Sequence, residues 1–193
     1  NLIFVNIVFF LLLYFIYVIY LMTNSNEEGF RSQVLSRFAL PADFSLFIKQ
    51  PWSIITYMFT HFEMGFIFSN MLWLWVFGSI LEEISGGGKV IATYLYGSFA
   101  AAVIFIVVNI IFHPVMYGVY STQYYGAGAG VMSVAIAATT LDADYRLFPN
   151  IGRGLPLWIM TLLYITISIA GMPINYFVTA SGALIGFLMM YFF

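Results

Sequence analysis

The side chains that could carry acid–base or nucleophilic chemistry are few in this sequence and far apart along it. There are two histidines, His61 and His113, and no cysteine. A serine nucleophile needs a base within hydrogen-bonding reach, so one of these histidines would have to approach a hydroxyl such as that of Ser133. The lack of cysteine excludes disulfides and thiolate metal sites, and no cluster with metal-ligand spacing is visible. We expect no metal and no other cofactor.

For three polar residues a structural role is a simpler interpretation than a catalytic one. His61 is interpreted as a structural histidine bonded to loop carbonyls, and His113, directly before Pro114, as an interfacial hydrogen-bonding residue. Glu63 is a functional candidate, because ionisable groups within membrane segments usually have a role. Its position near the interface favours instead a carboxylate that is solvated or bonded to a loop.

The composition indicates an integral membrane protein. Of the 193 residues 63% are hydrophobic and only 7% are charged, whereas a soluble domain carries about 25% charged residues. The expected surroundings are therefore a lipid bilayer. The formal net charge is −2 and there is no basic block, which argues against nucleic acid as a partner.

The apolar segments predict an all-α membrane protein with one domain over residues 1–193. Helices are expected at about 1–22, 54–81, 90–112, 127–141, 155–171 and 175–193. The first run is longer than the apolar region of a signal peptide and lacks a small-x-small cleavage site, so it is interpreted as a spanning helix. Residues 23–52 mix charged with aromatic side chains, which suits short elements in the bilayer interface. A small subdomain without membrane contact is the alternative.

The predicted fourth helix is too short to cross a bilayer alone. Residues 127–141 reach about 22 Å, against a hydrocarbon core of about 30 Å. The connection before it must then enter the protein, which irregular backbone does only where protein shields it or where it lines a wet cavity. We expect the helix to begin at the floor of a cavity.

Lysine and arginine in the short connections predict the orientation. Lys89, Arg146 and Arg153 follow the second and fourth helices. The positive-inside rule places these connections in the cytoplasm, and both termini with them.

Small residues recur at helical spacing in two of the predicted helices. Ala129, Ser133 and Ala137 lie four apart in one, and Gly182 and Gly186 lie four apart in the other. Close approach of backbones at small residues drives helix association in lipid. The fourth and sixth helices are the predicted pair, with packing alone as the simplest explanation of the pattern.

The order of five segments resembles the rhomboid family of intramembrane serine proteases, bacterial type. These segments are "PWSIITYMFTH", "NMLWLWVFG", "LEEISGGGK", "YYGAGAGVMSVAIAATT" and "SGALIGF". The resemblance covers the whole chain and implies a six-helix bundle with a short fourth helix, a partly membrane-embedded first loop and a water-filled cavity. It also implies a transmembrane helix as substrate and a bacterial cytoplasmic (inner) membrane as the location.

The resemblance implies a site in which three of four functional positions are changed. The nucleophile position is Gly128 and the base position is Thr179. Of the two oxyanion positions, Asn70 matches the family and Phe66 replaces its histidine. His61 matches an upstream histidine that is not catalytic.

These replacements predict a pseudoprotease. Glycine has no oxygen to attack a carbonyl, threonine cannot accept a proton near neutral pH, and loss of the nucleophile alone typically costs about 10⁶ in turnover. We expect a protein that binds transmembrane segments of client proteins, with Asn70, Gly126, Gly128 and Thr179 as contact residues. The alternatives are an active protease with a relocated nucleophile and a small transporter or channel. Ser133 points about 140° away from the direction of position 128.

Overall fold

The computed structural model describes residues 2–24, 26–112, 123–147, 154–169 and 174–192. This part of the chain is mainly helical, as the sequence predicted, and it also contains turns, short connections and four two-residue strands. The nine helices described are α1 (Leu2–Asn24), α2 (Glu27–Gln33), α3 (Phe44–Lys49), α4 (Ser53–Thr56), α5 (Met64–Ser85), α6 (Gly87–Phe112), α7 (Gly128–Leu141), α8 (Leu157–Ile169) and α9 (Ile174–Phe192). Two single 3-10 turns span Leu35–Arg37 and Tyr57–Phe59, and the strands are β1 (Leu40–Pro41), β2 (Gln123–Tyr124), β3 (Arg146–Leu147) and β4 (Leu155–Pro156).

Three described helices are long and apolar enough to cross a membrane. Their spans are Leu2–Thr23, Met64–Ser85 and Gly87–Ile111. Three further apolar helices are shorter, at Gly128–Leu141, Leu157–Ser168 and Phe177–Phe192. The fourteen residues of α7 reach only about 21 Å, so this helix needs protein at its ends to satisfy its backbone.

The second long helix differs from the one predicted over 54–81. The structure has α4 and a 3-10 turn first, and the spanning helix α5 begins only at Met64. Thr60 has extended backbone (φ −78°, ψ 119°), which ends the turn, and its hydroxyl donates to the carbonyl of Thr56 (2.9 Å). The carbonyl of Glu63 then accepts the amides of Phe66 and Ile67 and starts α5. His61 and Glu63 therefore lie outside the spanning helix.

The chain divides into two compact units, each with parts of α5 and α6. The first unit comprises residues 1–71 and 102–127. A cluster of Leu13, Phe30 and Leu35 forms its core, against which Tyr17 and Phe62 pack. In the first connection, Asn26 and Asp43 cap α2 and α3 through side-chain oxygens that accept backbone amides. Strand β1 pairs antiparallel with β2, so Leu40 lies opposite Tyr124.

The second unit comprises residues 72–101 and 128–193, and α7 is its most buried element. Nine of the fourteen residues of α7 are buried. The hydroxyls of Thr139 on α7 and Thr161 on α8 lie 2.6 Å apart. Strands β3 and β4 pair antiparallel in the connection between these helices, and the amide of Leu157 donates to the carbonyl of Tyr145 (2.9 Å) to begin α8.

Candidate functional site

Gly128 is the first residue of α7 and is only partly buried, between buried neighbours Ala127 and Ala129. The turn before it depends on Gly126, whose φ of +114° is a conformation that other residues rarely adopt. The amide of Gly126 donates to the carbonyl of Tyr57 (2.9 Å). The hydroxyl of Tyr164 on α8 donates to the carbonyl of Gly128 (3.2 Å). Gly128, where the resemblance places the nucleophile, thus has a fixed backbone and no side chain.

His61 fixes the residue before Gly128. Its ring is 2% exposed. Nε2 accepts the backbone amide of Ala127 (3.2 Å), and Nδ1 lies 3.3 Å from the carbonyl oxygen of Phe59. The imidazole is therefore neutral with its hydrogen on Nδ1, and burial lowers the pKa of His61 to about 4. The structural role that the sequence predicted for His61 is confirmed, and it includes an amide as well as a carbonyl.

Glu63 bonds to a loop, which is the simpler of the two interpretations offered by the sequence. Its Oε1 accepts the hydroxyl of Tyr125 (3.2 Å) and both guanidinium nitrogens of Arg31 (3.3 and 3.4 Å). Arg31 also pairs with Glu27 (2.8 Å) and lies 4.4 Å above the ring centroid of Phe62. Burial raises the pKa of Tyr125, and the charge of Glu63 adds to the rise. Among the described residues, no group of three or more His, Asp or Glu side chains is placed to hold a metal ion.

Phe66 and Asn70, where the resemblance places the oxyanion donors, lie on one face of α5. Phe66 and Asn70 are four residues apart, which places their side chains one above the other. Phe66 is 67% exposed, whereas Asn70 is half-buried. The face therefore presents an aromatic ring where the resemblance expects an imidazole, next to an amide that can both donate and accept.

The residues expected to pack helices are brought together in the second unit. A Cβ atom on Gly182 would fall on the carbonyl oxygen of Ala129, and one on Gly186 would fall on that of Ser133. Both partners advance by four residues, so α7 and α9 run in the same direction. Ala137 is buried one turn further along α7.

The same α7–α9 register shows where Thr179 lies, the residue that the resemblance places at the base position. It precedes Gly182 by three residues on α9 and is half-buried. Because α7 and α9 are parallel, this puts Thr179 toward the end of α9 that corresponds to the start of α7, where Gly128 lies. The second unit contains no histidine, since both histidines of the sequence fall in the other residue ranges.

Besides α9, helix α6 also packs closely against α7, a contact that the sequence did not predict. A Cβ on Gly97 would meet the side chain of Ser133, and one on Gly130 would meet Ser98 Oγ at 2.5 Å. Ser133 is fully buried and its hydroxyl has no hydrogen-bond partner among the described residues. The pair Gly97–Ser98 was the available signal, but small residues alone do not identify their partner helix. Ser133 thus contributes to the contact between α6 and α7. The second histidine, His113, lies outside the described residues.

Tyr164 was also missed, because a tyrosine in an apolar helix has no distinctive spacing. Its ring is 3% exposed and packs against Trp73, with centroids 5.2 Å apart. This packing holds the hydroxyl that meets Gly128.

Comparison with known families identifies the arrangement. The model of the rhomboid domain family matches residues 49–193, which is well over half of the chain and includes Phe66, Asn70, Gly128 and Thr179. No curated protein matches the chain at a significant level. The match, together with helices able to cross a membrane, establishes that this integral membrane protein belongs to the rhomboid family.

Proposed function

We propose that this rhomboid-family protein is a pseudoprotease that binds transmembrane segments of client membrane proteins without cleaving them. The observation that carries the proposal is Gly128 at the first residue of α7, where the family resemblance places the nucleophile. We also propose that the chain crosses a bacterial inner membrane six times and that both termini lie in the cytoplasm.

The proposed loss of catalytic chemistry follows from three positions. Gly128 offers a backbone but no hydroxyl, so no acyl-enzyme can form there. Thr179 offers a neutral hydroxyl in place of an imidazole, which removes the proton acceptor. Phe66 presents a largely exposed ring in place of an oxyanion donor, a loss that alone typically costs about 10²–10³ in turnover.

Client binding uses groups that remain. The first amides of α7 have no acceptor within the helix, and Asn70 can both donate to and accept from an unwound backbone. A client helix with glycine or alanine at its end exposes carbonyls at little steric cost. These groups suit a partly unwound transmembrane segment better than a continuous helix, whose carbonyls are already bonded.

The activity test uses a fluorophosphonate probe and a cleavable transmembrane substrate in proteoliposomes. The wild-type protein is expected to give neither labelling nor cleavage, while an active rhomboid protease assayed in parallel gives both. The variant Gly128→Ser, Thr179→His, Phe66→His is the smallest set expected to restore cleavage, and Gly128→Ala serves as its inactive control. Labelling of the wild-type protein would contradict the proposal, and full activity of Gly128→Ser alone would contradict the role given to Thr179.

Binding is tested separately, in nanodiscs, with labelled transmembrane peptides of equal length. One peptide carries a Gly-Ala break near its end and the other is continuous leucine. We expect measurable binding of the broken peptide only, weakened by Asn70→Leu and unchanged by Phe99→Leu, which alters an exposed side chain of α6. Equal binding of both peptides, or of neither, would count against client recognition.

A further inference from the structure

Residues 57–63, here called the clamp segment, hold three consecutive residues of the chain that leads into α7. Each contact uses a different chemical group. The contacts are Tyr125 hydroxyl to Glu63 Oε1 (3.2 Å), Gly126 amide to Tyr57 carbonyl (2.9 Å) and Ala127 amide to His61 Nε2 (3.2 Å). The segment is continuous with α5, which begins at Met64.

We infer that His61 is a positioning residue that fixes the backbone entering α7 and releases it when the imidazole takes up a proton. The inference rests on the contacts of the clamp segment and does not depend on whether a client binds. It concerns the conformation of residues 125–128, where the vestigial nucleophile position lies.

The geometry makes His61 the sensitive contact of the three. Ala127 directly precedes α7, so its amide is held at the point where the helix starts. A protonated imidazole donates from both nitrogens and accepts at neither. Protonation would therefore set an N–H against the buried amide of Ala127, and a buried donor without an acceptor is strongly unfavourable. The positive-φ turn at Gly126 would then keep its contacts with Tyr57 and, through Tyr125, with Glu63, but lose the one at Ala127.

The charged and titratable groups around His61 determine the pH at which its imidazole takes up a proton. Glu63, from the same segment, is the carboxylate whose charge favours the imidazolium, but burial outweighs it and lowers the pKa of His61 to about 4. Arg31 of α2 and Tyr125 bind that carboxylate. Tyr124 of β2 is a neutral phenol, since burial raises its pKa.

The direction of the pH dependence follows from proton linkage. The pKa of His61 is about 4 in the closed clamp and 6.5 for a free histidine, so protons bind the open form more readily. The clamp is fully held above about pH 6.5, loosens as pH falls toward 4, and changes no further below that through His61. The protection factor of the Ala127 amide should fall by about a hundredfold or more across this range.

The test is hydrogen exchange of residues 123–128 in nanodiscs from pH 7 to 4, read as protection factors with fragmentation that resolves Ala127. The wild-type protein should lose protection with a midpoint that follows the imidazole titration of His61, measured by NMR in a His113→Gln background. His61→Gln keeps an acceptor that does not titrate, so its protection should stay flat. His61→Leu should be unprotected throughout.

Glu63 carries the negative charge that favours the His61 imidazolium, so it needs its own control. Glu63→Gln keeps hydrogen-bonding oxygen without the charge, and it should still lose protection on acidification. The inference is overturned if wild-type protection is flat to pH 4, if His61→Gln loses protection as the wild type does, or if the loss disappears in Glu63→Gln. If His61→Gln does not fold, a mismatch between the exchange midpoint and the His61 titration in the wild-type protein overturns it equally.

Discussion

At the scale of single residues, Gly126, Ala127 and Gly128 are held by three different parts of the protein. Gly126 bonds to the carbonyl of Tyr57, Ala127 to the imidazole of His61 and Gly128 to the hydroxyl of Tyr164. None of these contacts needs a side chain on the three residues themselves. The backbone at the start of α7 is therefore fixed by contacts from other parts of the chain.

Removal of the Tyr164 hydroxyl tests whether its bond to the Gly128 carbonyl stabilises this backbone. Tyr164→Phe leaves the ring against Trp73 and deletes the hydrogen bond to the Gly128 carbonyl. Because that carbonyl is also the first acceptor within α7, we expect a loss of about 1 kcal/mol in the free energy of unfolding. Unfolding by denaturant in mixed micelles measures it. Tyr96→Phe, at a 59% exposed tyrosine, is the matched control, and equal effects of the two substitutions would refute the role of the bond.

At the scale of elements, α7 is held between two helices whose glycines lie against it. Gly182 and Gly186 of α9 face its backbone on one side, and Gly97 of α6 faces Ser133 on another. In lipid, such contacts replace the hydrophobic drive that joins helices in water. The run of small residues in α7 thus serves packing on more than one face, whatever the chemistry at its start.

A methyl group added at Gly182 of α9 should therefore lower the stability of the protein. Gly182→Ala would place a Cβ on the carbonyl oxygen of Ala129, and overpacking of this kind costs about 1–3 kcal/mol. At Gly88 of α6 an added Cβ meets nothing within 4 Å, so Gly88→Ala should leave stability unchanged or raise it by up to about 1 kcal/mol. Thermal unfolding of both variants in the same detergent decides the matter, and a Gly182→Ala protein as stable as the wild type would exclude the close contact.

Some of this architecture could be predicted from sequence and some could not. Hydropathy predicted the helices, and the shrinking side chains placed the start of α7 within one residue of Gly128. The break before Met64 was missed because the apolar run continues through it. That break depends on distant partners, since Thr60 also approaches the carbonyl of Phe38 (3.5 Å) and His61 binds Ala127, and such long-range contacts leave no periodic signal.

At the scale of the whole molecule, the absence of cysteine from the sequence makes the proposed orientation directly testable. Single cysteines at two exposed sites, Glu28→Cys and Asp144→Cys, report opposite sides of the membrane if the helices alternate as proposed. An impermeant thiol reagent should label position 28 in intact cells and position 144 only after permeabilisation. The reverse pattern would invert the orientation, and labelling of both positions in intact cells would contradict the proposed alternation.

The parallel contact between α7 and α9 also has a consequence for biogenesis. Helix α7 leaves the ribosome well before α9, which ends at Phe192, and at about 21 Å it is too short to rest stably in lipid by itself. Until α9 is made, the face of α7 that packs against Gly182 and Gly186 lacks its partner. A chain cut short within α9 would leave this face of α7 uncovered, and we expect membrane quality control to recognise such a chain.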